Sequence, residues 1–387
     1  MVLFPFDRTA LQDECAELDA WRGRLDRQAS LSRRWQGRMR RDLEAEAVAA
    51  SVGMEQVPVT VDEVRRILVG ERPPTVRPED QDLVRGYRDA MEFVLRRADD
   101  PGFRWSRELV TGLHDRVLAG NHAAEAGRFA TGARWVVNRL TAAVVFAPAD
   151  QDEIPELVDQ LCHELEQDSS HAALRSAWVH VALAAIHPFR DGNGRVARVC
   201  ASLAMYRGDF RRTEFTSLEE WWGRHLSDYY SAFACLGASF DPAVDVTPFI
   251  AAHVRAQLSQ VRALDLRERI ERTIWSALEA VVEDSNLQPR VVNAVWDAFF
   301  DRPVTPAYYI PLTEVSRATA TNDLSATVSA GLLDGRGGGR GRHYVATPEL
   351  LRRVGESLGI DVPGAAGREH IVAALTQDLT PPRSRSR

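Results

Sequence analysis

Residues 187–198 read His187-Pro188-Phe189-Arg190-Asp191-Gly192-Asn193-Gly194-Arg195-Val196-Ala197-Arg198. Helical patterning fills both flanks. Before the stretch, Leu174, Trp178, Val181 and Ala185 recur at three- or four-residue spacing, which predicts a helix over 172–186 with one core-facing stripe. Pro188 stops it. A second helix is predicted over 193–205, and Gly192 and Gly194 sit at its start. There the first N–H groups lack helical partners and the dipole places about half a positive charge. Such a turn suits phosphate. Arg195 and Arg198 project from the first turns toward the same region and can grip phosphate oxygens. Asp191 is the kind of oxygen ligand that Mg²⁺ takes when it bridges phosphates. His187, with an ordinary pKa near 6.5, is mostly neutral around pH 7 and can accept a proton. One loop thus offers a base, a metal ligand, an anion cradle and two cations, which suffices for attack of a hydroxyl at phosphorus. The alternative is a plain helix corner, with His187 capping and Asp191 paired to Arg195.

The rest of the chain limits what surrounds this loop. Its 387 residues exceed one compact core, so two or three domains are expected. A net charge of −7 argues against a broad nucleic-acid or membrane surface. All 48 basic residues are Arg, so no lysine can serve as base or phosphate ligand. Cys15, Cys162, Cys200 and Cys235 fit neither a zinc nor a redox spacing and read as reduced core residues of a cytoplasmic protein. The first residues turn acidic too soon for a signal peptide, and no apolar run reaches membrane-spanning length.

Working outward, two helices are expected over 8–52, a short one over 62–68, then helices over 79–97, 106–118 and 154–166. Residues 127–138, with glycines followed by Trp135, Val136 and Val137, predict a β-hairpin. A helix over 218–236 carries Trp221, Trp222, Tyr229 and Tyr230, and Thr247-Pro248 opens a helix through 261. Helices over 266–283 and 288–300 follow. Helix, turn, helix over 319–329 and a Gly-Arg hairpin at 335–342 then read as a winged helix. The domain plan is 1–75, N-terminal helices; 76–264, core; 265–350, winged helix; 351–387, a helix and a disordered tail.

The motif resembles the signature of the Fic family, His-x-Phe-x-(Asp/Glu)-Gly-Asn-Gly-Arg-x-x-Arg, and every defined position is filled. The likeness extends from about residue 40 to 260. It implies a mainly α fold with a β-hairpin flap, and a protein adenylyltransferase that moves AMP from ATP to a Ser, Thr or Tyr hydroxyl of a target protein. It also implies roles. His187 deprotonates the hydroxyl and Phe189 anchors the loop. Asp191 holds Mg²⁺, and the N–H groups of Gly192, Asn193 and Gly194 bind the α-phosphate. Arg195 and Arg198 hold the β- and γ-phosphates. Phosphate-transferring kin carry a larger basic residue at the second glycine, so Gly194 favours AMP transfer.

Ser51-Val-Gly-Met-Glu55 is similar to the family's inhibitory motif, (Ser/Thr)-x-x-x-Glu-(Gly/Asn), in which Glu pairs with the second motif arginine and blocks the γ-phosphate site. Here Gln56 stands in place of Gly or Asn, and Ala130 stands where the flap often has Arg. Tyr229 and Tyr230 match a pair on the adenine side. The winged helix has five Arg against four acids over 301–345, a poor footprint for DNA. A homodimer or protein-contact role is the favoured expectation there. Rival functions are another Fic transfer (a different nucleotide, phosphate, or removal of AMP) and a DNA-binding regulator that senses nucleotide.

Overall fold

The computed structural model describes residues 2–27, 33–119, 121–137, 143–212, 218–362 and 367–379; for 26–27, 33–40, 122 and 340 it describes backbone only. The expected disordered tail lies outside these residues. The chain divides into two compact units. The first comprises Met1–Leu31, Arg40–Ile67 and Arg72–Arg262; the second comprises Ser32–Met39, Leu68–Glu71 and Ala263–Arg387.

In the first unit the helices are α1 (Gln12–Arg27), α2 (Arg33–Met54), α3 (Val61–Leu68), α4 (Pro78–Ala98) and α5 (Arg107–Val117), followed by α6 (Ile154–Gln167), α7 (Ala172–Ile186) and α8 (Asn193–Arg207). Helices α7 and α8 pack on each other; α6 covers α7, while α4 and α5 cover α8. The single stripe expected on α7 proves too narrow. Ala173, Trp178, Val179, Val181, Ala182 and Ile186 are all buried, as are the polar Ser176 and His180, so α7 is buried well beyond one stripe because neighbours surround it. Trp178 Nε1 donates to the carbonyls of Leu3 and Phe4 at 3.3 and 3.1 Å, which ties the N-terminal segment to this central helix.

Three expectations need correction. The hairpin is not contained in 127–138: residues 127–135 are irregular, and β1 (Val136–Val137) pairs with β2 (Val144–Phe146). Val144, Val145 and Phe146 form the second strand, a run too short for alternation to mark it in the sequence. Residues 218–236 form two short helices, α9 (Leu218–Arg224) and α10 (Leu226–Ala232), and a 3₁₀ turn. The break at His225 lets its N–H and Nδ1 both bond the Trp221 carbonyl. Finally, α11 runs unbroken over Thr247–Asp284, joining two helices that were expected to be separate. Residues 262–265, Arg-Ala-Leu-Asp, contain no breaker, so propensity carries the helix through.

In the second unit, α12 (Val292–Phe299), α13 (Pro306–Thr313) and α14 (Arg317–Ser329) precede an antiparallel hairpin of β3 (Leu333–Arg336) and β4 (His343–Ala346), then α15 (Pro348–Leu358). A single antiparallel bridge, Val304–Tyr344, ties the segment before α13 to β4. The order is consistent with a winged helix. Ser316 caps α14 through its hydroxyl, and Asp323 accepts from Arg290 and from the Tyr309 hydroxyl.

Candidate active site

The loop between α7 and α8 starts with strain. His187 ends α7 in the left-handed region, φ 51° and ψ 58°, which costs a non-glycine residue about 1 kcal/mol. Its N–H bonds the Leu183 carbonyl at 2.9 Å, and Nδ1 lies 3.3 Å from the Ala184 carbonyl. A proton on Nδ1 leaves Nε2 as the free acceptor. Burial outweighs the Ala184 bond and pushes the His187 pKa down to about 4, with Arg134 adding to the effect. The imidazole is therefore neutral at pH 7.

The loop is held from within. The Asn193 side chain accepts from the Phe189 N–H at 2.9 Å and donates to the Phe189 carbonyl at 2.8 Å. Phe189 is fully buried. Its ring stacks on His114 at 3.7 Å between centroids and 9° between planes. Gly192 has φ 77°, a conformation that L side chains resist. Its N–H donates to Asp191 Oδ1 at 2.6 Å. The same oxygen lies 3.4 Å from Arg195 Nη2. Arg195 is buried and also donates to the Val117 carbonyl at 3.2 Å. The contacts of a plain helix corner, a histidine cap and an Asp191–Arg195 pair, are thus both present.

What a plain corner does not explain is Arg198. Its side chain is 3% exposed and fully engaged. Nε donates to Ser51 Oγ at 2.9 Å, Nη2 to the Ser51 carbonyl and to Glu55 Oε1, both at 3.0 Å, and Nη1 to the Tyr229 hydroxyl at 3.3 Å. The Glu55 carboxylate also reaches the start of α8. A Cβ at Gly194 would fall 2.5 Å from Glu55 Oε1. A carboxylate therefore lies against the helix N-terminus and a buried guanidinium, where anions are stabilised.

The end of α2 aims that carboxylate. Val57 N–H bonds the Val52 carbonyl at 3.1 Å and Gln56 N–H bonds the Gly53 carbonyl at 2.8 Å, a Schellman closure. Gln56 takes φ 65°, so the position where the resembled motif has Gly or Asn keeps the left-handed turn despite its side chain.

The two tyrosines separate. Tyr229 is buried among Met54, Leu218, Trp222 and Ala256, with its hydroxyl 3.1 Å from His180 Nε2. It belongs to the Arg198 network, not to an open wall. Tyr230 is 58% exposed, and its hydroxyl reaches the Met54 carbonyl at 3.5 Å. The flap presents Trp135, Val137, Val144 and Val145 to solvent. Asn138 lies outside the described residues.

Asp191 is 54% exposed at its side chain. Among the described residues no group of three or more His, Cys, Asp or Glu could hold a metal ion. A single carboxylate fits Mg²⁺ only where phosphates and waters supply the remaining oxygens. His114 escaped the sequence reading: a lone histidine at a buried helical spacing looks like any core residue.

Residues 104–205 match the model of the Fic/DOC family, so the chain carries a Fic domain on a mainly helical Fic fold. Over 104 residues it is 32% identical to the protein adenylyltransferase fic-1 of Caenorhabditis elegans, covering 26% of this chain and 19% of that one. Over 127 residues it is 31% identical to the protein adenylyltransferase Fic of Nematostella vectensis, covering 33% and 29%. The chain thus spans less than a third of the length of these curated relatives. In fold, a Fic family protein from Desulfovibrio desulfuricans aligns with TM-score 0.54 and 20% identity over 86% of this chain and 96% of that one. Fic-1 of C. elegans (residues 134–508) aligns with TM-score 0.51 and 20% identity over 66% and 72%. Among the described residues no helix is long and apolar enough to cross a membrane.

Proposed function

We propose that this chain transfers AMP from ATP to a Ser, Thr or Tyr hydroxyl of a target protein, and that Glu55 holds it at low activity. The observation that carries the reading is the Glu55 carboxylate seated on Arg198 and against Gly194. It occupies the ground a nucleotide phosphate needs, and the groups that receive it are those that would receive a phosphate.

With Glu55 displaced and Asp191 Oδ1 turned away from the Gly192 N–H that it now accepts, the N–H groups of Gly192, Asn193 and Gly194 face the α-phosphate and Arg198 holds the outer phosphates. Arg195 adds charge from its buried place beside Asp191. The target oxygen attacks the α-phosphorus while its proton passes to His187 Nε2. The bond from that phosphorus to the bridging oxygen breaks, and pyrophosphate leaves. Bound at Asp191, Mg²⁺ would neutralise charge between the phosphates. The names of the nematode and anemone relatives support the reaction class.

Incubating the Glu55→Gly variant with ATP labelled on the α- or γ-phosphate tests the reading. Protein labelled from the α-position alone supports AMP transfer. Label from the γ-position alone would make the chain a kinase and overturn the proposal.

A further inference from the structure

The proposed reaction needs two things at once: a nucleotide in the loop and a target segment on the flap. The flap root and the loop are joined by one side chain. His114, on α5, is fully buried. Its Nδ1 accepts the Gly127 N–H at 3.0 Å, and its Nε2 lies 3.0 Å from the Asp191 carbonyl. Since Nδ1 accepts, the ring proton is on Nε2 and donates to Asp191, so each bond fixes the tautomer that the other requires. The ring face meanwhile covers Phe189.

Its surroundings leave little slack. A Cβ at Gly192 would lie 3.5 Å from His114 Cδ2, so the ring also bounds the start of the anion cradle. Gly127 has φ 75°, and a Cβ there would approach Asp115 Cβ to 3.3 Å, so the root is seated closely on α5. Three residues on, Ala130 N–H bonds the Pro188 carbonyl at 2.9 Å, a second tie between flap root and loop. Beyond it the strand at Val136–Val137 begins. A shift of Asp191 therefore moves the His114 acceptor from under Gly127, and the reverse holds equally.

We infer that His114 is a positioning residue that couples the flap root at Gly127 to the anion loop at Asp191, so that a nucleotide in the loop orders the segment that receives the target. The inference rests on the nucleotide reading above. Coupling of this kind is reciprocal: a target on the flap tightens the nucleotide by the factor with which the nucleotide tightens the target. His114 touches neither reacting group and acts through the backbone it holds.

Hydrogen exchange at the 127–130 amides, with and without Mg-ATP, tests the coupling in the Glu55→Gly background, alongside calorimetric ATP binding. The account predicts that ATP slows exchange there about fivefold or more. His114→Phe keeps a ring on Phe189 but loses both hydrogen bonds; it should still bind ATP yet lose this protection. His114→Gln, with an acceptor and a donor on one amide, should retain it. Should the Phe variant fail to fold, the Gln variant decides: retained protection without a stacked ring supports the coupling, and lost protection overturns it. ATP binding with equal protection in the Phe variant overturns the coupling alone. No ATP binding by the Glu55→Gly parent overturns the nucleotide reading and the coupling together.

Discussion

Glu55 Oε1 stands 3.0 Å from Nη2 of Arg198, and no other carboxylate among the described residues pairs with that guanidinium. Neither partner is free to drift. Arg198 is fixed from behind by Ser51 and Tyr229, and Glu55 by the closure of α2. Breaking the pair therefore requires movement of the helix end or of the glutamate rotamer, and anything that favours such movement should raise activity. Glu55→Gly should raise α-label transfer by at least about tenfold, the worth of one charge-assisted contact of 1.4 kcal/mol or more. Glu55→Gln, which keeps the shape without the charge, should fall between. A Glu55→Gly rate equal to that of the parent removes the inhibitory role.

The base should show itself separately from binding. His187→Ala should lower transfer by roughly a hundred- to ten-thousand-fold. The variant should still bind ATP, because the cradle at Gly192–Gly194 and Arg198 is untouched. Undiminished transfer would remove His187 as the proton acceptor.

Gln56 offers a test of the helix end. Its left-handed φ of 65° costs a side-chain residue about 1 kcal/mol that glycine avoids. Gln56→Gly should raise the unfolding free energy by up to that amount and lower basal transfer, since the Glu55-in state becomes firmer. Chemical denaturation reads the first effect and the labelled assay the second. A loss of stability contradicts the strain.

Acid should unfold the chain in a particular window. Burial pushes His114 and His187 down to about 4 and His253 down to about 3. In the unfolded chain each returns to about 6.5. Between those values the unfolded state binds protons that the folded state refuses, so stability falls as the pH drops below 6.5 and continues to fall toward 4. One such histidine accounts for about 2 kcal/mol between pH 7 and 5. Denaturant titrations at the two pH values should show the loss, and His253→Gln should recover part of it. A stability that does not change over this range contradicts the burial of these rings.

Much of the centre was legible because glycine, proline and charge spacing are local signals. Pro188, Gly192 and Gly194 mark the loop, and the helices on either side follow from apolar spacing. The resemblance brought Ser51 and Glu55 to Arg198, a pairing across more than 140 positions that no local pattern encodes. The remainder was set by tertiary contact. The resemblance puts Tyr229 beside Tyr230 on the adenine side, but its hydroxyl is buried against Arg198 and His180. Residues 218–236 look uniformly helical, yet they break at His225. His114 looks like core until its two nitrogens are seen to bridge Gly127 and Asp191. The flap strands pair only two or three residues each, too few for alternation to be read with its correct boundaries.

The proposed function requires the protein's own Glu55 carboxylate to stand where a nucleotide phosphate belongs. Calorimetric titration of Mg-ATP into the parent chain and into Glu55→Gly tests it most directly. The account predicts that the variant binds at least about tenfold tighter, since Arg198 and the start of α8 are released to the ligand. Equal affinity in the two proteins, or no binding in either, would contradict it.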